Sequence, residues 1–230
     1  MENIELINKY IEILLSSDIH CFILKGPPGI GKTTAVLNKL GDVGLIEDTN
    51  FYYINGHITP LKLYEFLSST RILEDPKVVL LDDVDSIIKN KTSMGILKGA
   101  LSEARGKRIV SYESSSTKVE SRSFEFTGKV IIIVNSIYRN EALESLLDRG
   151  IFYDMEVSPK ELAEYINKNI ETFGGELLTT DEKTTVWDKV KRFVETPGFS
   201  LRTLNRAFMF YHHDKDLWYS MFTKTIKKKK

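Results

Sequence analysis

The sequence predicts an α/β fold: a three-layer αβα domain built on a five-stranded, mainly parallel sheet, followed by a small all-α domain. Three observations predict it. Short apolar runs of strand type alternate with stretches of helical spacing over the first two thirds of the chain, as strands joined by crossover helices do. Two of the runs, Val78-Val79-Leu80-Leu81 and Val130-Ile131-Ile132-Ile133-Val134, contain no polar residue, the pattern of strands buried on both faces. From Ser158-Pro159 onward no strand run recurs and apolar residues fall at helical spacing. The expected division is an α/β domain over residues 1–158, a helical domain over 159–226 and a basic tail over 227–230.

The elements follow in order. Ile4, Leu6, Ile7, Ile11, Leu14 and Leu15 recur on one face, so residues 3–17 read as an amphipathic helix. Cys21-Phe22-Ile23-Leu24 is the first strand, and the run after Thr33 favours helix. Phe51-Tyr52-Tyr53-Ile54 is the second strand, ended by Asn55-Gly56. Thr59-Pro60-Leu61 then opens a helix that runs to about Ser68, with proline at the first helical position. The third strand, Val78–Leu81, is followed by a long insertion in which Met94 to Ala104 reads as helix. Val130–Val134 is the fourth strand, and Phe152 to Val157 makes a weaker fifth. In the helical part, Phe173-Gly174-Gly175 and Pro197-Gly198 are turns. Trp187, Trp218 and the run Phe208-Met209-Phe210-Tyr211 read as its core.

Composition narrows the setting. The 230 residues are 42% hydrophobic and 28% charged, within the range of a soluble globular protein. No apolar stretch reaches the roughly 18 residues of a membrane span, and Met1-Glu2-Asn3-Ile4-Glu5 lacks the basic start and apolar core of a signal peptide. Cys21 is the single cysteine, so an intracellular, reducing location is expected and no membrane partner. The net charge is zero but unevenly spread: residues 201–230 hold eight Lys/Arg against two Asp/Glu. A local basic end is therefore expected rather than a general attraction to nucleic acid. His20, His57, His212 and His213 show no metal-ligand spacing.

Chemistry concentrates in a few stretches. Gly26-Pro27-Pro28-Gly29-Ile30-Gly31-Lys32-Thr33 stands directly between a strand and a helix, the context a phosphate-binding loop needs. Its glycines let the backbone curl and approach an anion without a side chain in the way. Converging N–H groups and the positive end of the following helix then favour phosphate. Lys32 can reach the β- and γ-phosphates, and the Thr33 hydroxyl can ligate Mg²⁺. The residues expected against a nucleoside triphosphate are Gly26, Pro27, Pro28, Gly29, Ile30, Gly31, Lys32, Thr33 and Thr34. Asp82 and Asp83 close the third strand, where an open α/β sheet binds its ligand. There Asp82 can hold Mg²⁺ together with Thr33, and Asp83 can orient the attacking water.

With these motifs on the page, the chain resembles an AAA+ ATPase from about Ile4 to Phe222. That resemblance implies ATP and Mg²⁺ as ligands and three further site residues. Asn135, which ends the fourth strand, matches the first sensor, an amide that holds the lytic water. Ala142-Leu143-Glu144-Ser145-Leu146-Leu147-Asp148-Arg149-Gly150 looks like the stretch carrying an arginine finger. Arg149 would then act on the ATP of a neighbouring subunit, with Arg139 as the rival position. Gly198-Phe199-Ser200-Leu201-Arg202-Thr203-Leu204 resembles the start of a lid helix that aims the second sensor, Arg202, with Arg206 as the alternative. One departure stands out: many relatives have Asp-Glu where this chain has Asp82-Asp83. The shorter side chain holds water less well, so slow turnover is expected.

The resemblance also implies self-association into a ring or helical oligomer. What the motor acts on is left to the insertion and the tail. Residues 105–129 carry six Lys/Arg against three Asp/Glu. Basic side chains interleaved with Tyr112 can follow a phosphate backbone, or equally decorate a solvated hairpin. A Lys-Gly-Ala-Leu helix and the Phe124-Glu125-Phe126-Thr127-Gly128 turn resemble virus- and plasmid-type replication ATPases. The leading expectation is a helicase, helicase loader or initiator that meets single- or double-stranded DNA or replication proteins. A protein-remodelling ATPase and an ATP-dependent switch or scaffold with slow hydrolysis are the alternatives.

Overall fold

The computed structural model describes residues 2–113, 122–136 and 141–226. Arg139, the tail Lys227–Lys230 and residues 114–121 of the Ser-rich insertion lie outside the described residues. The chain runs α1 (Glu2–Ser16), β1 (Cys21–Lys25), α2 (Lys32–Asp42), β2 (Phe51–Asn55), α3 (Pro60–Ser69), β3 (Val78–Asp82), α4 (Asp85–Lys89), α5 (Lys91–Leu101) and a hairpin of β4 (Ile109–Ser111) and β5 (Ser123–Glu125). It continues with β6 (Lys129–Val134), α6 (Glu141–Leu147), β7 (Ile151–Asp154), α7 (Pro159–Lys168), α8 (Thr180–Val190), α9 (Leu201–His213) and α10 (Trp218–Thr225). It divides into two compact units, one of Glu2–Gly26 with Lys32–Met155, the other of Pro27–Gly31 with Glu156–Lys230.

In the first unit five strands form one sheet in the order β2-β3-β6-β1-β7, and every pairing is parallel. The wholly apolar runs are the central strands β3 and β6, and the more polar β2 and β7 are the edges. Alternate side chains leave the two faces. Ile23, Leu81 and Ile132 pack with Leu63 and Leu67 of α3, Ile87 of α4 and Leu97 of α5. On the other face the Tyr10 ring of α1 lies 5.6 Å from that of Phe22. Ile7, Ile11 and Leu14 are buried along the same helix, and Glu12 joins it to Lys39 of α2 at 2.7 Å. Lys39 and Lys9 together lower the Glu12 carboxyl to about 2. Cys21 is fully buried, and burial alone pushes its thiol up to about 12.

Register decides where the chemistry can sit. Asp82 pairs with Ile133, and Lys25 with Val134, so β3, β6 and β1 end side by side at their carboxyl ends. The loop after β1, the acid pair after β3 and Asn135 after β6 therefore start from neighbouring points. Beside them the strand–helix boundary at Gly150 is tight: a Cβ there would stand 2.4 Å from the Cys21 carbonyl oxygen.

Two expectations are corrected. The helix expected over 94–104 is α5, which starts at Lys91 because Asn90 caps it, accepting from the Ser93 N–H at 3.0 Å. It ends at Leu101 because Ala104 and Lys107 close a tight turn in which Arg105 and Gly106 have φ of 55° and 77°. The fifth strand stops at Asp154, not Val157. Met155 makes one more bond, to the Lys25 carbonyl, and β1 then turns away into Gly26. The insertion also folds into the antiparallel pair β4–β5, with Val110 and Phe124 buried.

The second unit is helical. Ser158 and Glu161 form a reciprocal cap on α7, and Thr179 and Glu182 do the same on α8. Ser200 caps α9 by accepting from the Thr203 N–H at 3.3 Å. Ile166, Val186, Trp187, Leu204, Phe208, Trp218 and Phe222 make its core.

Candidate active site

Lys32 is buried at 5% exposure, which a charged side chain tolerates only with partners. Its Nζ donates to the Gly26 carbonyl at 2.7 Å and to Asn135 Oδ1 at 2.9 Å. The same Asn135 donates from Nδ2 to Asp83 Oδ1 at 2.5 Å. One neutral amide thus joins the loop lysine to the second acid. Asp83 itself has φ 52°, a left-handed conformation that aspartate tolerates better than most residues, and its N–H is held by the Ile133 carbonyl at 3.2 Å.

A second chain of bonds centres on Asp82, which is 4% exposed. The Thr33 hydroxyl donates to Asp82 Oδ2 at 2.7 Å, and the Tyr53 hydroxyl donates to the same oxygen at 3.1 Å. Asn55 Nδ2 in turn donates to Tyr53 Oη at 3.0 Å. Burial raises the Tyr53 phenol above its ordinary value; the Asn55 bond opposes that, and Asp82 adds to it. Among the described residues no group of three His, Cys, Asp or Glu side chains is placed to hold a metal ion. The Thr33–Asp82 pair nonetheless fits Mg²⁺. It offers two hard oxygen donors in contact, and Mg²⁺ usually takes one or two such protein ligands and completes its shell with phosphate oxygens and water.

The middle of the loop is built with the helical unit. Gly29 and Gly31 take φ of 76° and 92°. The Gly29 carbonyl accepts from the Leu201 N–H at 2.9 Å, and a Cβ on Gly29 would stand 2.9 Å from Ser200 Cβ. Gly29 is thus required by φ and by the close approach of α9. Pro27, Pro28 and Ile30 line a cavity of about 510 Å³ in this unit, together with Val157, Leu162, Phe199, Arg202 and Arg206. Thr34 is exposed on the first turn of α2.

The structure brings together Gly26, Lys32, Thr33, Asp82, Asp83 and Asn135 in one unit, and Pro27–Gly31 with Arg202 in the other. Both sensor candidates, Arg202 and Arg206, line the same cavity, and Arg202 is the one whose stem lies against Gly29. Arg149 is exposed at the end of α6. Its Nε donates to Ser102 Oγ at 2.7 Å, and Nη1 donates to the carbonyl and hydroxyl of Ser145. Tyr53 and Asn55 escaped sequence reading, although Asn55 ends a strand in register with Asp82.

The basic groups of the insertion divide between internal contacts and exposure. Arg108 is buried, donating to the Ala100 and Gly128 carbonyls, with its guanidinium 5.3 Å from the Phe126 ring centre. Lys129 donates to the Ser17 and Ile19 carbonyls, Lys107 pairs with Glu125, and Tyr112 packs on Tyr64 at 5.5 Å. Arg108 and Tyr112 thus join the hairpin to α5 and α3, Lys107 pairs within the hairpin, and Lys129 ties β6 to the loop before β1. Arg105 and Arg122 are exposed.

The profile of the ATPase family associated with various cellular activities (AAA) matches residues 22–149. An uncharacterized 36.7 kDa protein from the nrdC–mobD intergenic region of Enterobacteria phage T4 is 29% identical over 91% of this chain and 69% of its own length. The fold resembles the Holliday junction branch migration motor RuvB of Thermotoga maritima, with a TM-score of 0.56 and 16% identity over 97% of this chain and 69% of that one. It also resembles NtrX of Brucella abortus in complex with ATP, with a TM-score of 0.58 and 12% identity over all of this chain and 55% of that one. Among the described residues no helix is long and apolar enough to cross a membrane.

Proposed function

We propose, from the premise that this chain belongs to the ATPase family associated with various cellular activities, that it is a Mg²⁺-dependent, oligomeric ATP-driven motor acting in a nucleic-acid transaction of a phage or mobile element. The observation that carries the catalytic part is the paired contact at the carboxyl ends of the central strands: Thr33 on Asp82, and Lys32 on Asn135 on Asp83. In this reading Lys32 leaves the Gly26 carbonyl and Asn135 for the γ-phosphate, and Asn135 is freed to hold the attacking water with Asp83. Thr33 and Asp82 would hold Mg²⁺, which when bound neutralises charge on the phosphate oxygens. The cavity beside Pro27, Pro28 and Ile30 takes the nucleoside, its volume being within the roughly 300–1,000 Å³ usual for ligand pockets. Arg202 reads the phosphates from α9. Arg149, exposed and held by two serines, reaches a neighbouring subunit's ATP.

The phage setting is supported by the phage relative, and the nucleic-acid part by the branch-migration motor among the fold neighbours and the exposed Arg105 and Arg122. A slow ATP-dependent switch is the second reading, favoured by the short Asp83 side chain already engaged by Asn135. The test is ATPase rate against protein concentration, with and without single- and double-stranded DNA, alongside Arg149→Ala. The motor predicts DNA stimulation and a steep concentration dependence that the variant loses. A rate flat in concentration and indifferent to DNA leaves the switch.

A further inference from the structure

We propose that Tyr53 is a positioning residue for the metal-holding carboxylate, setting the orientation of Asp82 through a hydrogen bond that Asn55 directs. The proposal rests on the nucleotide-site reading above and adds a residue to it. Asp82 is buried, so its carboxylate needs donors. Two hydroxyls supply them, and both land on Oδ2: Thr33 Oγ1 at 2.7 Å and Tyr53 Oη at 3.1 Å. Thr33 is the group to be shared with the metal. Without Tyr53 the carboxylate's orientation would hang on that shared hydroxyl alone.

The direction of the Tyr53 bond is settled by chemistry. An ionised carboxylate only accepts, so the phenol must donate. Asn55 Nδ2 donates to the phenol oxygen at 3.0 Å and occupies its acceptor side, which leaves the hydroxyl hydrogen for Asp82. The ring is fixed at its base, since Tyr53 pairs with Leu80 in the β2–β3 register and Asn55 with Asp82. A phenylalanine would fill the same space, so the hydroxyl's addition is this bond.

The experiment compares wild type with Tyr53→Phe and Asn55→Leu in two measurements. One is binding of metal-free ATP; the other is Mn²⁺ affinity by electron paramagnetic resonance with a non-hydrolysable ATP analogue bound. Tyr53→Phe is expected to leave metal-free ATP binding unchanged and to weaken Mn²⁺ by about three- to ten-fold, the net worth of one ordinary hydrogen bond. The half-saturating Mg²⁺ for hydrolysis should rise by the same factor while kcat at saturating Mg²⁺ is kept. Asn55→Leu should shift both in the same direction by less. Unchanged Mn²⁺ affinity in Tyr53→Phe overturns the proposal and leaves the nucleotide site standing. A wild-type chain that binds no ATP overturns both.

Discussion

At the scale of single residues, the amide of Asn135 accepts from a cation and donates to an anion, holding Lys32 and Asp83 at fixed separation without a charge of its own. In the proposed function an arriving phosphate would compete for the same lysine, and the amide's partners would then depend on whether nucleotide is bound. Lys32→Ala should abolish ATP binding, measured with a fluorescent analogue. Asp83→Asn should bind normally and hydrolyse about 10²–10⁴-fold more slowly, the usual worth of a positioned base. Phosphate release at the wild-type rate in Asp83→Asn would remove that residue from the water-positioning role. Lys32, Thr33, Asp82, Asp83 and Asn135 were legible in the sequence because each stands at a strand end or in a loop of fixed spacing. Tyr53 was not, because its bond to Asp82 depends on which strands are neighbours, and strand order is set by long-range packing. The basic insertion stayed open between two readings for a related reason. A count of charges does not distinguish Arg108, used up on two carbonyls, from Arg105 at a turn.

At the scale of elements, the apolar runs marked the central strands and Thr59-Pro60-Leu61 marked the start of α3. Ends were less legible. α5 begins three residues early because an asparagine side chain supplies the cap, and β7 ends early because its partner strand turns away. The junction of α6 and β7 offers a sharp test. Gly150 stands where any side chain would meet the Cys21 backbone at 2.4 Å, so β7 could pair with β1 only after moving. Gly150→Ala should destabilise the chain by about 1–3 kcal/mol, as overpacking in a tight core does. A lowered urea midpoint relative to wild type checks this. An unchanged midpoint would mean that β7 shifts freely, and that the edge of the sheet does little to hold β1 and the loop that follows it.

At the scale of the whole molecule, the chain divides so that the glycine turn of the phosphate loop belongs with the helices, while its lysine and threonine belong with the sheet. No sequence pattern announces that split, since the loop is one continuous motif and the boundary was expected near Pro159. Stability should depend on pH through His20. Burial chiefly, then the positive Arg108 and Lys129, lower its pKa below the ordinary 6.5, with Glu103 and Asp18 opposing. Its Nδ1 is buried without a hydrogen-bond partner among the described residues. The folded chain therefore prefers neutral imidazole: this contribution is complete above about pH 6.5 and is lost as pH falls through the lower folded value. The urea midpoint should drop over that range in wild type and drop less in His20→Gln. Cys21 turns the same sheet into a clock. With the thiol shielded from solvent and raised to about 12, the closed state offers no thiolate that could attack a disulfide reagent. Labelling of this one sulfur in excess reagent would then proceed only as fast as β1 comes free, and bound ATP should slow it by however much the nucleotide holds the strand's end in place.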